Sequence, residues 1–183
     1  MIRFLRRGDY RIFVGAFPTG ALAEQIQVVR EQYDWKTAGI TAPHVTLAGT
    51  YWRLGKGVPE EETAVIRTLT TCLANLPAFD LHLGGIRTFG NRIAYLEVKM
   101  TPELEDTRRT LVQCLGQDKH RRFTPHLTLS MRLKARKTAV MVNELRETAW
   151  HHGQFIAPIT ELHLMQRNQQ DPAWRSIARF PLQ

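Results

Sequence analysis

The stretches Pro43-His44-Val45-Thr46-Leu47 and Pro125-His126-Leu127-Thr128-Leu129 write one pattern twice: proline, histidine, an aliphatic residue, threonine, leucine. In an extended strand alternate side chains share a face, so His44 and Thr46 point one way while Val45 and Leu47 point the other. His126 and Thr128 separate from Leu127 and Leu129 in the same way. Each stretch thus anchors itself with aliphatic residues and displays an imidazole and a hydroxyl. Average residue usage produces such a pentapeptide on the order of once per million positions, so two copies in 183 residues are not coincidence. Duplication of a strand would preserve proline and leucine, but it gives no reason to keep histidine.

Two such strands lying side by side across a groove would offer two imidazoles and two hydroxyls to one ligand. Histidine has the side-chain pKa nearest neutrality, so one ring can start neutral as a general base while the other starts protonated as a general acid. The threonine hydroxyls can donate to non-bridging phosphate oxygens. Splitting a phosphodiester needs both proton movements, and this set supplies them without metal. A metal site is disfavoured because threonine is a poor ligand and no Asp, Glu or Cys stands beside either motif. No cofactor is expected.

The formal net charge of +8 favours anionic partners, RNA or phosphate-bearing small molecules, by raising their local concentration. A composition 43% hydrophobic and 23% charged, with four Trp, four Tyr and eight Phe, is that of a folded globular protein rather than a disordered chain. Cys72 and Cys114 lack metal-ligand spacing and are read as buried, reduced thiols. The basic N-terminus has no signal-peptide apolar core, and no stretch approaches the eighteen or so apolar residues of a membrane span. A cytoplasmic monomer without membrane contact is the expectation.

Positioning the motifs requires strands and helices in a readable order. "YRIFVGAF" predicts a strand, and Leu22, Ile26, Val29 and Tyr33 predict a helix over 20–33. The 60–76 stretch predicts a second helix behind an acidic start. Two strands around Gly90-Asn91 predict a hairpin. Thr101 followed by Pro102 marks the start of a third helix carrying Leu104, Arg108, Leu111, Val112 and Leu115. A fourth helix is expected over 135–150, then two closing strands, "ITELHLMQR" and "WRSIARFPL". About seven strands and four helices result, in one domain over 1–183 that divides near residue 90 into two halves, an internal pseudo-duplication. Short alternating strands favour mixed or antiparallel sheets covered by helices, an α+β fold.

Two His-x-Thr-x motifs, at 44–47 and 126–129, in so short a chain resemble the 2H phosphoesterase superfamily, which includes RNA 2′,3′-cyclic phosphodiesterases (2′-5′ RNA ligases). The opening strand, the middle hairpin and the closing strands are similar too, so the resemblance covers nearly the whole chain. It implies two pseudo-two-fold-related lobes of mostly antiparallel sheet with the histidines facing each other across a cleft. The implied reaction opens a 2′,3′-cyclic phosphate, at an RNA end or on a small nucleotide, to a 2′-phosphate. His44 matches the general acid toward O3′ and His126 the general base, with Thr46 and Thr128 on the phosphate oxygens.

The chain departs from that family in two places. The RNA-ligase branch commonly continues its first motif as Phe-Leu-Gly, where this chain reads "AGTYW", and places an arginine five residues after the second histidine, where this chain has Met131, with Arg132 one step later. One step turns a strand residue to the other face, so Arg132 needs a bulge to reach the phosphate. Tyr51 and Trp52 are candidates for stacking on a base. The runs 119–123 ("KHRRF") and 132–137 ("RLKARK") read first as solvated faces and second as guides for a polyanion. His82, His120, His151, His152 and His163 receive no role. Alternatives are a plant-type enzyme for small cyclic phosphates such as ADP-ribose 1″,2″-cyclic phosphate, a reversible 2′-5′ RNA ligase, and a non-catalytic RNA-end binder.

Overall fold

The structure, a computed structural model, describes residues 10–53, 59–118, 120, 122–168 and 170–183, with only the main chain of 52, 53 and 59–61. Along the chain run β1 (Tyr10–Ala16), α1 (Gly20–Ala38), β2 (Val45–Arg53), α2 (Pro59–Leu73), β3 (Phe79–Phe89), β4 (Ile93–Val98) and α3 (Pro102–Leu115). Then come β5 (His126–Ser130), α4 (Ala135–Arg146), α5 (Ala149–His152), β6 (Phe155–Ile159), β7 (Glu161–Asn168) and β8 (Arg175–Pro181).

The strands form one eight-stranded sheet in the order β6-β3-β4-β5-β2-β1-β7-β8, and every described pairing is antiparallel. This is the α+β architecture expected. The two halves of the sheet meet where β2 and β5 join through a single pair, Val45 with Leu127. Helices then lace them together. α1, which follows β1 in one half, lies against β5 in the other, while α3, which precedes β5, lies against β2. Val45, Leu47 and Leu127 are fully buried and Leu129 nearly so; each such side chain contributes about 1.5–3 kcal/mol by leaving water.

Two elements exceed the sequence reading. β6 carries Pro158, which suits only a sheet edge, and β6 is indeed the edge strand, pairing with β3 alone. The fourth helix ends at Arg146, and Thr148 starts the separate α5 by accepting a hydrogen bond from the Trp150 N–H at 3.3 Å. The third helix begins as expected, with the Thr101 hydroxyl accepting from the Leu104 N–H.

The cysteines correct the reading of reduced thiols. Cys72 on α2 and Cys114 on α3 form a disulfide, and both are half-buried rather than buried. The two helices pack on each other, which brings thiols 42 residues apart in sequence within bonding reach. Among the described residues no helix is long and apolar enough to cross a membrane.

Candidate active site

The motif strands are neighbours. From the Val45–Leu127 pair, one step along each antiparallel strand sets Thr46 beside His126 and His44 beside Thr128. Val45 and Leu127 are buried, whereas the two histidines and two threonines are partly open on the other face. Sequence alternation thus becomes a four-residue patch with approximate two-fold symmetry.

Both imidazoles are held alike. Nδ1 of His44 lies 2.9 Å from the Ala42 carbonyl, and Nδ1 of His126 lies 2.7 Å from the Thr124 carbonyl. A carbonyl only accepts, so Nδ1 carries the hydrogen in each ring, leaving Nε2 as the atom able to take or give a proton. Each ring is oriented by the residue two positions before it.

Aromatic packing sets their electrostatics. His44 lies between Phe13 and Phe17, stacked at 4.9 and 5.1 Å between ring centroids, and His126 meets the edges or faces of Phe89 and Tyr95 at 4.8 and 5.2 Å. Burial pushes His44 down to about 4, the Arg30 cation and His126 adding to it while the Ala42 carbonyl works the other way. Burial also lowers His126, with His120 adding and the Thr124 carbonyl opposing. Desolvation penalises the charged ring in both cases, so the unliganded protein holds both neutral near pH 7.

A cleft of about 330 Å³ opens against this patch, lined by Thr46, His126, Phe89, Arg108, Arg122 and Phe123 among others. Beneath it Arg108 on α3 grips Asp118 with both terminal nitrogens, at 2.6 and 2.9 Å. Arg108 also donates to the Leu47 carbonyl at 2.9 Å, and Asp118 accepts from the Gly49 and His120 N–H groups. Burial alone would raise the Asp118 carboxyl; the hydrogen bonds from Arg108, Gly49 and His120 outweigh it and hold the pKa low.

The bulged main chain of β2 meets that grip. β2 carries two bulges against β1, with Leu47 and Thr50 as the extra residues. Leu47 and Ala48 are therefore buried in succession, and the Leu47 carbonyl goes to Arg108. Gly49 sits at φ +124, where a Cβ would stand 2.8 Å from Phe13 Cβ, so only glycine fits.

Behind the second motif, Asp34 interrupts α1 with φ −143 and ψ 69. Its carboxylate accepts from the Thr37 hydroxyl at 2.6 Å and from the N–H groups of Met131 and Arg132 at 3.1 and 2.9 Å. Burial opposes the charge, yet these bonds keep the Asp34 pKa below the ordinary carboxylate range. Arg30, 1% exposed, donates to the Thr37 and Thr41 carbonyls and braces the approach to His44.

Of the expected site residues, Thr46 and His126 line the cleft, and His44 and Thr128 flank them in register. Arg132 is exposed in the bend after β5 and is absent from the described cleft lining. Arg122, from the "KHRRF" run, stands there instead; Lys119 and Arg121 lie outside the described residues. Tyr51 gives its hydroxyl to the Gly116 carbonyl at 2.8 Å, a packing role. The Trp52 side chain lies outside the described residues. Arg136 and Lys137 face a separate hollow with Tyr33 and Glu144. Among the described residues no three His, Cys, Asp or Glu side chains gather as a metal site. Sequence reasoning missed Arg30, Asp34 and Asp118, and saw Arg108 only as a helix residue.

Comparison with known proteins agrees with this fold. The 2′-5′ RNA ligase superfamily profile matches residues 18–171, and the chain belongs to that family, the 2H phosphoesterases. The "putative phosphoesterase" of Bacillus cytotoxicus is 26% identical over 170 residues, covering 91% of this chain and 93% of its own. Crystal structures of E. coli LigT superpose with TM-scores of 0.64 for the apo form and 0.63 for the complex with 3′-AMP. Both are 20% identical; they cover 94% and 95% of this chain and 96% and 98% of theirs.

Proposed function

We propose that this protein opens 2′,3′-cyclic phosphates to 2′-phosphates by metal-independent acid–base catalysis between His44 and His126. The observation that carries the proposal is the matched pair of imidazoles on adjacent strands, each fixed through Nδ1 and offering Nε2 on the same face. His126 Nε2 takes a proton from water as its oxygen bonds to phosphorus. The P–O3′ bond breaks, and protonated His44 Nε2 gives its proton to the departing O3′. The products are a 2′-phosphate and a free 3′-hydroxyl, and solvent exchange resets the two rings. Thr46 and Thr128 donate to the non-bridging oxygens. A hydroxyl of a second RNA end in place of water would run the same geometry as 2′-5′ ligation.

The low pKa of His44 fits this cycle once substrate is bound. An anion between two imidazoles favours their charged forms, so the cyclic phosphate itself recruits the proton that His44 must deliver. The test is a 2′,3′-cyclic-phosphate-ended oligoribonucleotide in excess EDTA. Hydrolysis to a 2′-phosphate, lost in His44→Ala and His126→Ala, is expected; unchanged substrate, or turnover indifferent to both substitutions, refutes the reading. Equal or better turnover of small cyclic phosphates would favour the plant-type alternative.

A further inference from the structure

We propose that the RNA chain leading to the cyclic phosphate lies in a second groove beside the cleft, making this protein selective for RNA ends over free cyclic nucleotides. The inference rests on the proposed hydrolysis and names the substrate class that the site serves. The groove has a volume of about 720 Å³, more than twice that of the cleft, and shares Arg122, Phe123 and Thr124 with it. Thr124 is also the residue whose carbonyl orients His126. A chain held at the catalytic histidines therefore meets this opening directly across the segment that carries the second motif.

The groove's chemistry suits a phosphodiester backbone. Lys99, Arg122, His82, His151 and His152 line it, and its one described carboxylate, Glu97, is paired with Arg87 at 3.1 Å. Single-strand binders combine a cationic track with aromatic surfaces; Lys99 and Arg122 are the cations here, the histidines add ring donors, and half-buried Phe123 supplies an aromatic surface.

The groove is also built rather than incidental. β3 bulges at Gly84-Gly85 against β4, with Gly85 at φ +82, and a Cβ on Gly84 would stand 2.5 Å from the Gly153 carbonyl oxygen. Two glycines thus let the end of α5 sit on the strand. There the Ile86 N–H donates to His151 Nδ1 at 3.0 Å, which leaves the hydrogen on Nε2. A histidine with a fixed donor faces the groove, and nothing in the hydrolysis uses it.

The experiment compares a 2′,3′-cyclic mononucleotide with a tetraribonucleotide ending in the same cyclic phosphate. Wild-type protein should show at least a tenfold higher kcat/KM on the tetranucleotide, carried by KM, with a steeper fall as salt rises. The double variant Lys99→Ala/His152→Ala should lose that gain while retaining wild-type turnover of the mononucleotide. Equal kcat/KM on both substrates, or a variant that weakens both alike, overturns the groove and leaves the hydrolysis standing. If neither substrate turns over, the proposed hydrolysis fails and the groove is judged by fluorescence anisotropy of a labelled tetraribonucleotide with a terminal 3′-phosphate. Weaker binding by the folded double variant supports the groove, and an unchanged Kd overturns it.

Discussion

Arg108 and Asp118 meet as a bidentate pair beneath the cleft and between them engage the main chain of Leu47, Gly49 and His120, so one ion pair ties the strand of the first motif to the segment leading into the second. Both side chains are buried, at 9% and 1% exposure. Removing one partner leaves an uncompensated charge, which typically costs about 3–5 kcal/mol. Asp118→Asn and Arg108→Met should each show that loss in denaturant unfolding. The Asp118 pKa is depressed in the folded chain, so its contribution is present above the unfolded carboxylate value and disappears as pH falls through the folded one. Asp118→Asn should accordingly be less stable at neutral pH and lose less stability on acidification than the parent.

Replacing either catalytic candidate tests the pair as a unit. His44→Ala and His126→Ala should each lower kcat by about 10² to 10⁴, and the double variant should be little worse than the poorer single one. Thr46→Ala and Thr128→Ala should lose less, about ten- to a hundredfold, as expected for one hydrogen bond to a charged group. Steady-state kinetics on one cyclic substrate decides the order.

The pH dependence follows from the neutral resting state of both rings. One ring must be charged and the other neutral for reaction, and both titrate below the ordinary histidine value in the unliganded protein. The bell for kcat/KM should therefore peak on the acid side of 6.5, its limbs belonging to the coupled pair rather than to either residue. Bound phosphate raises both groups, so the kcat bell should lie at higher pH. A kcat/KM optimum at or above neutrality would contradict the assigned burial of His44 between Phe13 and Phe17.

The disulfide should matter for stability and not for chemistry. Cys72 and Cys114 close a loop of 42 residues, a length for which chain-entropy arguments give about 4 kcal/mol. Neither lines the cleft. Reduction, or the Cys72→Ser/Cys114→Ser variant, should lower Tm while leaving kcat/KM at a temperature well below the transition unchanged.

What the sequence made legible was whatever local pattern governs. Period-two alternation placed His44, Thr46, His126 and Thr128 on one face, and Thr101-Pro102 marked a helix start, because those signals depend on neighbours in the chain. Asp34 reads as an ordinary polar helix residue; its role exists only because β5 ends against α1, far along the sequence. Asp118 likewise gains its meaning from Arg108 and a bulge at Leu47. The cysteines misled because their pairing depends on how α2 and α3 pack. Arg132 was sought at a strand position, whereas the strand has ended and Asp34 has taken its main chain.

The strand order has a consequence for synthesis. The half of the sheet holding His126 is drawn from β3 to β6, one continuous stretch from Phe79 to Ile159, whereas β1 pairs with β7, matching Tyr10 to Asn168. On a ribosome β1 and β2 can pair early and the Phe79–Ile159 half can close its sheet before β7 is made, while the other edge of β1 waits for β7. Contacts that distant in sequence are slow to form. β1 thus gains its second neighbour only after both motif strands, β2 and β5, have been made.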